Sequence, residues 1–346
     1  MKRIIDLSQE RKNILFETTA REMKVSNTII EKDFWVCVVL NYLFNESKFK
    51  DYFVFKGGTS LSKCYGVINR FSEDADLVLK WNMIGFNDEE VYKKRSKSQD
   101  NKFELSMNEK GARFIQEELR QDLTDNLASK TSGMEIQSDE KDPMVLYVKY
   151  PASYGDAYIP SAVKLEIGPV AAKTPTEIKQ IEPYCFKCFN VDNKEPFKVE
   201  IVSIARTFWE KLLILYAETN RPLDKKVPSR YSRHYYDVYM IYKSEYFSTI
   251  LKMKELFQEV KAFKSKYYRT SWSKIEESSL DNIAIVPRKE RLTELSSDFD
   301  NMKEMIFGDG PSFKEIINGL LELEGVLKRA SSQTIENIYG LQGLIK

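Results

Sequence analysis

Two short stretches of the sequence carry residues that could bind phosphate and a metal ion. The first, Phe55–Lys63 (FKGGTSLSK), places two glycines, followed by Thr59 and Ser60, directly after a short strand-like segment. Glycines let backbone N–H groups approach a phosphate closely, and a neighbouring hydroxyl could donate a further hydrogen bond. The second, Arg70–Leu77 (RFSEDADL), carries Asp74 and Asp76. Side chains two residues apart on a strand point the same way, so this pair could clamp Mg²⁺, which prefers oxygen ligands.

A third acidic residue, Glu166, is a candidate for the same site. Apolar and charged residues alternate in Val163–Ile167 (VKLEI), so Lys164 and Glu166 are predicted to share the face opposite the core. Glu166 could ligate a metal or serve as a base for the attacking hydroxyl, or it could be an ordinary ion-paired strand residue. Glu73 is predicted to point away from the two aspartates and not to be a ligand.

Each of these patterns has a plain structural interpretation when it stands alone. A Gly-Gly-Thr-Ser sequence is usually only a turn, and an Asp-x-Asp pair is more often solvated than metal-binding. Together and in this order they are more specific. A phosphate-binding turn beside a metal clamp is what phosphoryl or nucleotidyl transfer requires.

The combination resembles the AbiEii/AbiGii toxin family, which has the nucleotidyltransferase fold and forms the toxin half of type IV toxin–antitoxin and phage-abortive systems. Three further segments carry the resemblance: Glu31–Trp35 (EKDFW), Thr207–Leu213 (TFWEKLL) and Ser232–Tyr239 (SRHYYDVY). The similarity spans most of residues 30–240. Ala75 stands between the aspartates where the family often has isoleucine, a difference we attribute to packing.

The resemblance implies roles for individual residues. Gly58 and Ser60 would hold the triphosphate of an NTP, Lys211 would contact phosphate, and Asp237 would be a further catalytic residue. The predicted metal ligands for Mg²⁺ or Mn²⁺ are Asp74, Asp76 and the added Glu166. The predicted catalytic residues are Asp74, Asp76, Glu166, Lys211 and Asp237. The predicted nucleotide-binding residues are Lys56, Gly57, Gly58, Thr59, Ser60, Arg70 and Ser72.

Lys211 and Asp237 also have simpler interpretations. On sequence alone, Lys211 could equally be a solvated partner of Glu210 or of another nearby acid. Asp237 could form an intrahelical ion pair with Arg233, which precedes it by four residues.

The acceptor of the nucleotide is less well defined. The family makes an RNA plausible, especially a tRNA 3′ end, and basic and aromatic residues could guide it: Lys225, Lys226, Arg230, Tyr231 and Arg233. The alternatives are nucleotidylation of a protein or small molecule, or a non-catalytic nucleotide-binding module acting through a partner. The intact Asp-x-Asp pair counts against the last of these. The resemblance also implies an antitoxin encoded nearby, which need not touch the toxin.

The elements that must position these residues predict an α+β fold. Residues 1–198 are assigned to a nucleotidyltransferase-like domain with a helical N-terminal segment and a charged, helical insertion at about 85–143, and residues 199–346 to a helical domain. The predicted strands are 51–56, 72–80, 144–150 and 161–167. The predicted helices include 8–46 for the most part, 61–69, 104–125, 203–219 and 229–243. Residues 173–196 are predicted to be irregular.

Composition narrows the class of protein. The chain has 346 residues, with 53 Lys and Arg against 52 Asp and Glu, so its formal net charge is +1. This balance argues against nucleic-acid binding by bulk electrostatics and leaves only a local basic patch. With four cysteines and a single histidine, the chain is a poor candidate for a zinc site, a redox site or a Ser-His-Asp hydrolase. The cysteines are predicted to be ordinary thiols. No apolar run is long enough to span a membrane and no secretory signal is visible, so a cytoplasmic protein is expected.

Overall fold

A computed structural model describes residues 5–72, 74–155, 159–188 and 196–342. Glu73, predicted to face away from the aspartates, lies outside the described residues. The chain divides into two compact units, Met1–Ser203 and Ile204–Lys346. The first combines a mixed sheet with helices and the second is built from helices, which confirms the α+β class.

A seven-stranded mixed sheet forms the centre of the first unit. Its strands are β1 (Phe53–Lys56), β2 (Asp74–Leu79), β3 (Glu135–Ser138), β4 (Val145–Lys149), β5 (Ala162–Gly168), β6 (Thr176–Ile181) and β7 (Phe197–Val202). They are ordered β3-β4-β5-β2-β1-β7-β6. The strands β1 and β2 therefore lie at the centre, where β2 pairs antiparallel with β1 and parallel with β5.

The first unit also contains helices. They are α1 (Gln9–Met23), α2 (Asn27–Asn41), α3 (Gly57–Lys63), α4 (Asp88–Tyr92), α5 (Lys97–Arg113), α6 (Arg120–Asn126) and α7 (Cys185–Cys188). A π-helical segment, Phe114–Leu119, joins α5 to α6. The helix α2 begins where the side chain of the N-cap residue Ser26 accepts a hydrogen bond from the Ile29 N–H.

The second unit consists of helices packed on an apolar core. They are α8 (Ile204–Thr219), α9 (Ser232–Lys243), α10 (Phe247–Lys252), α11 (Leu256–Tyr267), α12 (Lys289–Met302) and α13 (Phe313–Gln342). The helix α8 buries an apolar face at helical spacing, formed by Ile204, Phe208, Leu212 and Leu215. Within the described part of the chain, no helix has both the length and the hydropathy that a membrane crossing requires.

Several predicted boundaries differ from the structure. The helix predicted at 61–69 begins at Gly57 and ends at Lys63. The stretch predicted to be irregular, 173–196, contains β6 and α7, and β3 and β7 were not predicted as strands. The predicted domain boundary after residue 198 falls inside β7, which belongs to the sheet of the first unit.

Candidate active site

A glycine turn joins β1 to α3 and lies directly against one of the paired aspartates. Gly57 has a φ of +80°, in the left-handed region that glycine adopts without strain. A Cβ atom built on Gly57 would lie 1.8 Å from Oδ2 of Asp76, a separation that no side chain tolerates. The missing side chain therefore makes room for the Asp76 carboxylate at the turn.

The second glycine faces two polar side chains that were predicted to bind nucleotide. A Cβ atom on Gly58 would lie 2.7 Å from Nη2 of Arg70 and 2.8 Å from Oγ of Ser72. Arg70 is buried, with 4% of its surface exposed. A buried guanidinium beside a glycine backbone is well suited to a phosphate, because it offers several donors and a permanent positive charge.

The two hydroxyl residues of the turn have partners inside the protein. The Thr59 hydroxyl donates to the carbonyl oxygens of Ser72 and Asp74, which ties α3 to the beginning of β2. The Ser60 hydroxyl donates to the Gly57 carbonyl at 2.9 Å. In this structure both hydroxyls stabilise the turn itself.

Strand register gathers the charged residues on one side of the sheet centre. Asp76 lies opposite Lys56 of β1 and Glu166 of β5. Asp74 lies opposite Lys164 of β5. Because side chains at alternate positions share a face, all five belong to the same side of the sheet. Asp74 and Asp76 are half-buried, whereas Ala75 and Leu77 between and after them are fully buried, as the alternation predicts.

Glu166 and Lys164 form an ion pair on this charged face. The Lys164 ammonium donates a hydrogen bond to Oε1 of Glu166. Burial lowers the pKa of Lys164, but the hydrogen bond to Glu166 and the negative charges of Glu166 and Asp74 outweigh it and raise the pKa above its ordinary value. The predicted ligand Glu166 thus lies near the aspartates and is held by a lysine.

The donor set fits a magnesium-type ion that is completed by a substrate. Among the described residues, no three Asp, Glu, His or Cys side chains converge as a ready-made metal site. Mg²⁺ is usually bound by one or two carboxylates together with substrate phosphates rather than by an all-protein cage. Asp74 and Asp76 on one face, with the Asp76 carboxylate lying against Gly57, provide such a pair.

A buried charged network that sequence reasoning did not assign joins α2 to the end of α3, the helix that follows the turn. Asp33 of α2 is bound to the Lys63 ammonium of α3 at 2.6 Å and accepts from the Tyr184 N–H at 2.7 Å. Burial lowers the pKa of Lys63, but the charge of Asp33 dominates and raises it. The sequence signal was the Glu-Lys-Asp triplet inside an otherwise apolar helix.

The other two charged residues of the triplet anchor α2 to the chain that follows β4. Glu31 accepts hydrogen bonds from the N–H groups of Ser153 and Tyr154, at 2.8 and 3.1 Å. Lys32 donates to the carbonyl of Pro160 at 3.1 Å. Burial raises the pKa of Glu31, and the two backbone N–H groups act in the opposite direction. The charged residues of the Glu31–Trp35 segment are therefore explained by positioning.

In the second unit, the two residues singled out by the resemblance contact each other. Nζ of Lys211 on α8 lies 2.8 Å from Oδ2 of Asp237 on α9, and the Asp237 side chain is fully buried. Glu210, which the sequence offered as a partner for Lys211, pairs with Arg206 at 3.0 Å. Lys211 and Asp237 thus form one buried ion pair between two helices.

The basic segment before α9 is held in place by α12. Nη2 of Arg291 donates to the carbonyl oxygens of Pro222 and Lys225, at 2.8 and 2.6 Å. Asp298 accepts from the N–H groups of Arg230 and Ser232. Lys225, Lys226 and Arg233 are exposed, whereas Arg230 and Tyr231 are half-buried. The positions of Arg291 and Asp298 in this role were not predicted, because both lie far away in sequence.

The cysteines behave as ordinary thiols where the structure describes them. Cys37 and Cys185 are buried, and burial raises the pKa of Cys37. Burial also raises the pKa of Cys64 to about 12. Thiols with raised pKa values carry little thiolate at neutral pH and are poor nucleophiles.

Comparison with known proteins gives the family. The family model described as nucleotidyl transferase AbiEii toxin, type IV toxin–antitoxin system, matches residues 39–319, well over half of the chain. No curated protein matches the chain. Among solved structures, JHP933 from Helicobacter pylori is similar at 16% identity and a TM-score of 0.46, with 92% of this chain and 99% of that chain covered. MenT4, a nucleotidyltransferase toxin from Mycobacterium tuberculosis, is similar at 17% identity and a TM-score of 0.45, with 89% and 98% covered. On the strength of the family match, this chain belongs to the AbiEii nucleotidyltransferase toxins of type IV toxin–antitoxin systems.

Proposed function

We propose that this nucleotidyltransferase transfers a nucleotide from an NTP to a hydroxyl group of an RNA, with a tRNA 3′ end as the favoured acceptor. The observation that carries the proposal is the contact between the glycine turn and the acidic strand, where the Asp76 carboxylate occupies the space beside Gly57. A phosphate-binding turn and a metal-binding carboxylate are useful for this reaction only when they are adjacent.

The reaction is a displacement at the α-phosphorus of the NTP. The acceptor oxygen forms a bond to that phosphorus while the bond to the bridging oxygen of the β-phosphate breaks, so that pyrophosphate leaves. The acceptor proton passes to a base, for which Glu166 is the candidate on this face of the sheet. Asp74 and Asp76 would hold Mg²⁺ or Mn²⁺, with Glu166 as the predicted third ligand. Bound there, the ion supplies charge stabilisation and orientation for the phosphate oxygens.

The turn residues bind and orient the triphosphate. Gly57 and Gly58 present backbone without side chains, and the Arg70 guanidinium and Ser72 hydroxyl next to Gly58 offer donors to phosphate oxygens. Thr59 and Ser60 keep the turn in shape through their hydrogen bonds to backbone carbonyls. Lys56, at the end of β1 opposite Asp76, adds a positive charge at the same edge.

Two features of the second unit belong to the proposal: Lys211 and Asp237 as catalytic residues, and a basic segment that would guide the acceptor. The segment carrying Lys225, Lys226 and Arg230 is fixed by Arg291 and Asp298, so its backbone is ordered before an RNA arrives. Pre-ordering lowers the entropy lost on binding, which favours an acceptor role for this segment. A cognate antitoxin belongs to the proposal as a partner, with or without direct contact.

The proposal is tested by incubating the protein with each α-³²P-labelled NTP, Mg²⁺, total RNA and a protein extract. We expect label on RNA. Asp76→Ala should reduce labelling by about a hundredfold or more, because losing a metal ligand removes several kcal/mol of transition-state stabilisation. The half-buried side chain of Asp76 lies on the charged face of the sheet and not in the apolar core, so the melting temperature should stay close to that of the parent.

Asp51→Ala is the matched control, because Asp51 is an exposed aspartate just before β1. It should label RNA as the parent does. Label on protein instead of RNA would mean that the acceptor is a protein and not an RNA. Equal labelling by Asp76→Ala and the parent would refute the role of Asp76.

A further inference from the structure

The ion pair between Lys164 and Glu166 lies on the sheet face that carries Asp74 and Asp76, here called the acidic face, where the proposed reaction takes place. Lys164 lies opposite Asp74 in the β2–β5 ladder, and Glu166 lies opposite Asp76. The Lys164 ammonium is bound to Glu166 and also interacts with the negative charge of Asp74. One cationic side chain is thus shared among the acidic groups of this face.

Electrostatics gives the reason for a cation at this place. Three carboxylates on one sheet face repel one another unless positive charge lies among them. Lys56 faces Asp76 from β1, and Lys164 faces Asp74 from β5. A divalent cation bound to these carboxylates would compensate their negative charge in the same way. The Lys164 ammonium and such an ion would repel each other if both were bound to Glu166.

We infer that Lys164 is an exchangeable counter-ion, which holds Glu166 when no divalent cation is bound and releases it when the cation arrives. The inference rests on the proposed function, because it takes Asp74 and Asp76 to be metal ligands. Glu166 then becomes available to the metal or to the acceptor hydroxyl only in the loaded site.

The surroundings of the pair favour exchange over a permanent structural bridge. The Lys164 and Glu166 side chains are 31% and 42% exposed, so water can replace either partner at little expense. Lysine has a long flexible stem that lets the ammonium swing towards solvent. The buried pair between Lys63 and Asp33 in the same unit, 5% and 3% exposed, has no such freedom.

The test measures Mn²⁺ affinity by electron paramagnetic resonance, without nucleotide, and melting temperature with and without Mn²⁺. Lys164→Met keeps the aliphatic stem and removes the charge. We expect it to bind Mn²⁺ about threefold or more tightly, because Glu166 no longer has to leave the Lys164 ammonium before it can bind the ion. In EDTA the variant should melt at a lower temperature than the parent, and adding Mn²⁺ should abolish that difference.

Two controls separate exchange from a general charge effect. Lys149→Met removes an exposed lysine from the same face of neighbouring β4 and should bind Mn²⁺ like the parent. In a Glu166→Gln background, Lys164→Met should give no gain in affinity, because the carboxylate to be released is absent.

Unchanged or weaker Mn²⁺ binding by Lys164→Met overturns the inference, as does an equal gain in the Glu166→Gln background. Failure of the proposed function looks different. If the parent binds Mn²⁺ and the variants respond as expected while no RNA is labelled, the acceptor is wrong and the counter-ion inference stands. If the parent and Lys164→Met both bind no Mn²⁺ without nucleotide, the inference fails, whereas a metal ion completed by substrate phosphates stays part of the proposed function.

Discussion

Gly57 is the residue at which backbone conformation and chemistry depend on each other most directly. Its φ of +80° and the closeness of Asp76 Oδ2 both require the absence of a side chain. Gly57→Ala should therefore lower the free energy of unfolding by about 1–2 kcal/mol, because alanine is strained in the left-handed region. It should lower it further because the added Cβ atom displaces Asp76. We expect nucleotide transfer to fall about a hundredfold because the Asp76 carboxylate is displaced, measured by RNA labelling alongside urea unfolding.

Gly66 provides the control for strain alone. Its φ is +63°, and a Cβ atom there would meet nothing within 4 Å. Gly66→Ala should show a similar backbone destabilisation and keep parental activity. If both alanine variants lost activity equally, the contact between Gly57 and Asp76 would have no special role in catalysis.

At the scale of elements, the pair Lys211–Asp237 joins α8 to α9 inside the second unit. Either Lys211→Met or Asp237→Asn leaves one charge buried without its partner, and we expect each to lower the free energy of unfolding by about 3 kcal/mol. The double variant carries no charge at this place and should recover much of that loss. Urea unfolding of the three variants measures both effects.

Activity of the double variant distinguishes a catalytic pair from a structural one. If Lys211 or Asp237 is catalytic, the double variant Lys211→Met/Asp237→Asn should fold well and still transfer no nucleotide. Recovered RNA labelling in the double variant would mean that the pair only joins the two helices.

The elements that the sequence predicts best are those whose pattern is set by burial. β2 alternates because one side is buried, and α8 shows a continuous apolar face, so both were predicted close to their observed bounds. The strand β7 lies inside the sheet and was missed although most of its residues are buried. The other two missed strands, β3 and β6, are the two edges of the sheet. Most of β3 is exposed and Ile181 is the one buried residue of β6, so both have little apolar alternation to reveal them. The helix α3 begins earlier than predicted because Gly57 permits a bend directly at the strand end.

The candidate site shows the same division. The paired carboxylates and the glycine turn were visible because neighbouring residues in sequence create them. The pairing of Lys164 with Asp74 across two strands, and of Asp33 with Lys63 across two helices, depends on register and packing. The sequence contains these residues but not the register and packing that bring them together, so only the structure reveals the pairs.

At the scale of the whole molecule, the numbers of positive and negative charges are nearly equal, so RNA binding must depend on local groups of Lys and Arg side chains. With a net charge of +1, the chain offers little general attraction to a polyanion. If Lys225 and Lys226 contact phosphates, replacing both with glutamine should reduce the slope of log K against log salt by about 1.4, since each contact contributes about 0.7. Filter binding of tRNA at several salt concentrations measures this slope.

Lys48→Gln/Lys50→Gln is a charge-matched control in the first unit, where both lysines are exposed. Each double variant changes the net charge equally, to 1 − 2 = −1. The control should keep the parental slope, because only lysines in contact with phosphate release counter-ions on binding. If both variants weaken binding and flatten the slope to the same extent, attraction is a property of the total charge and the segment before α9 does not guide the RNA.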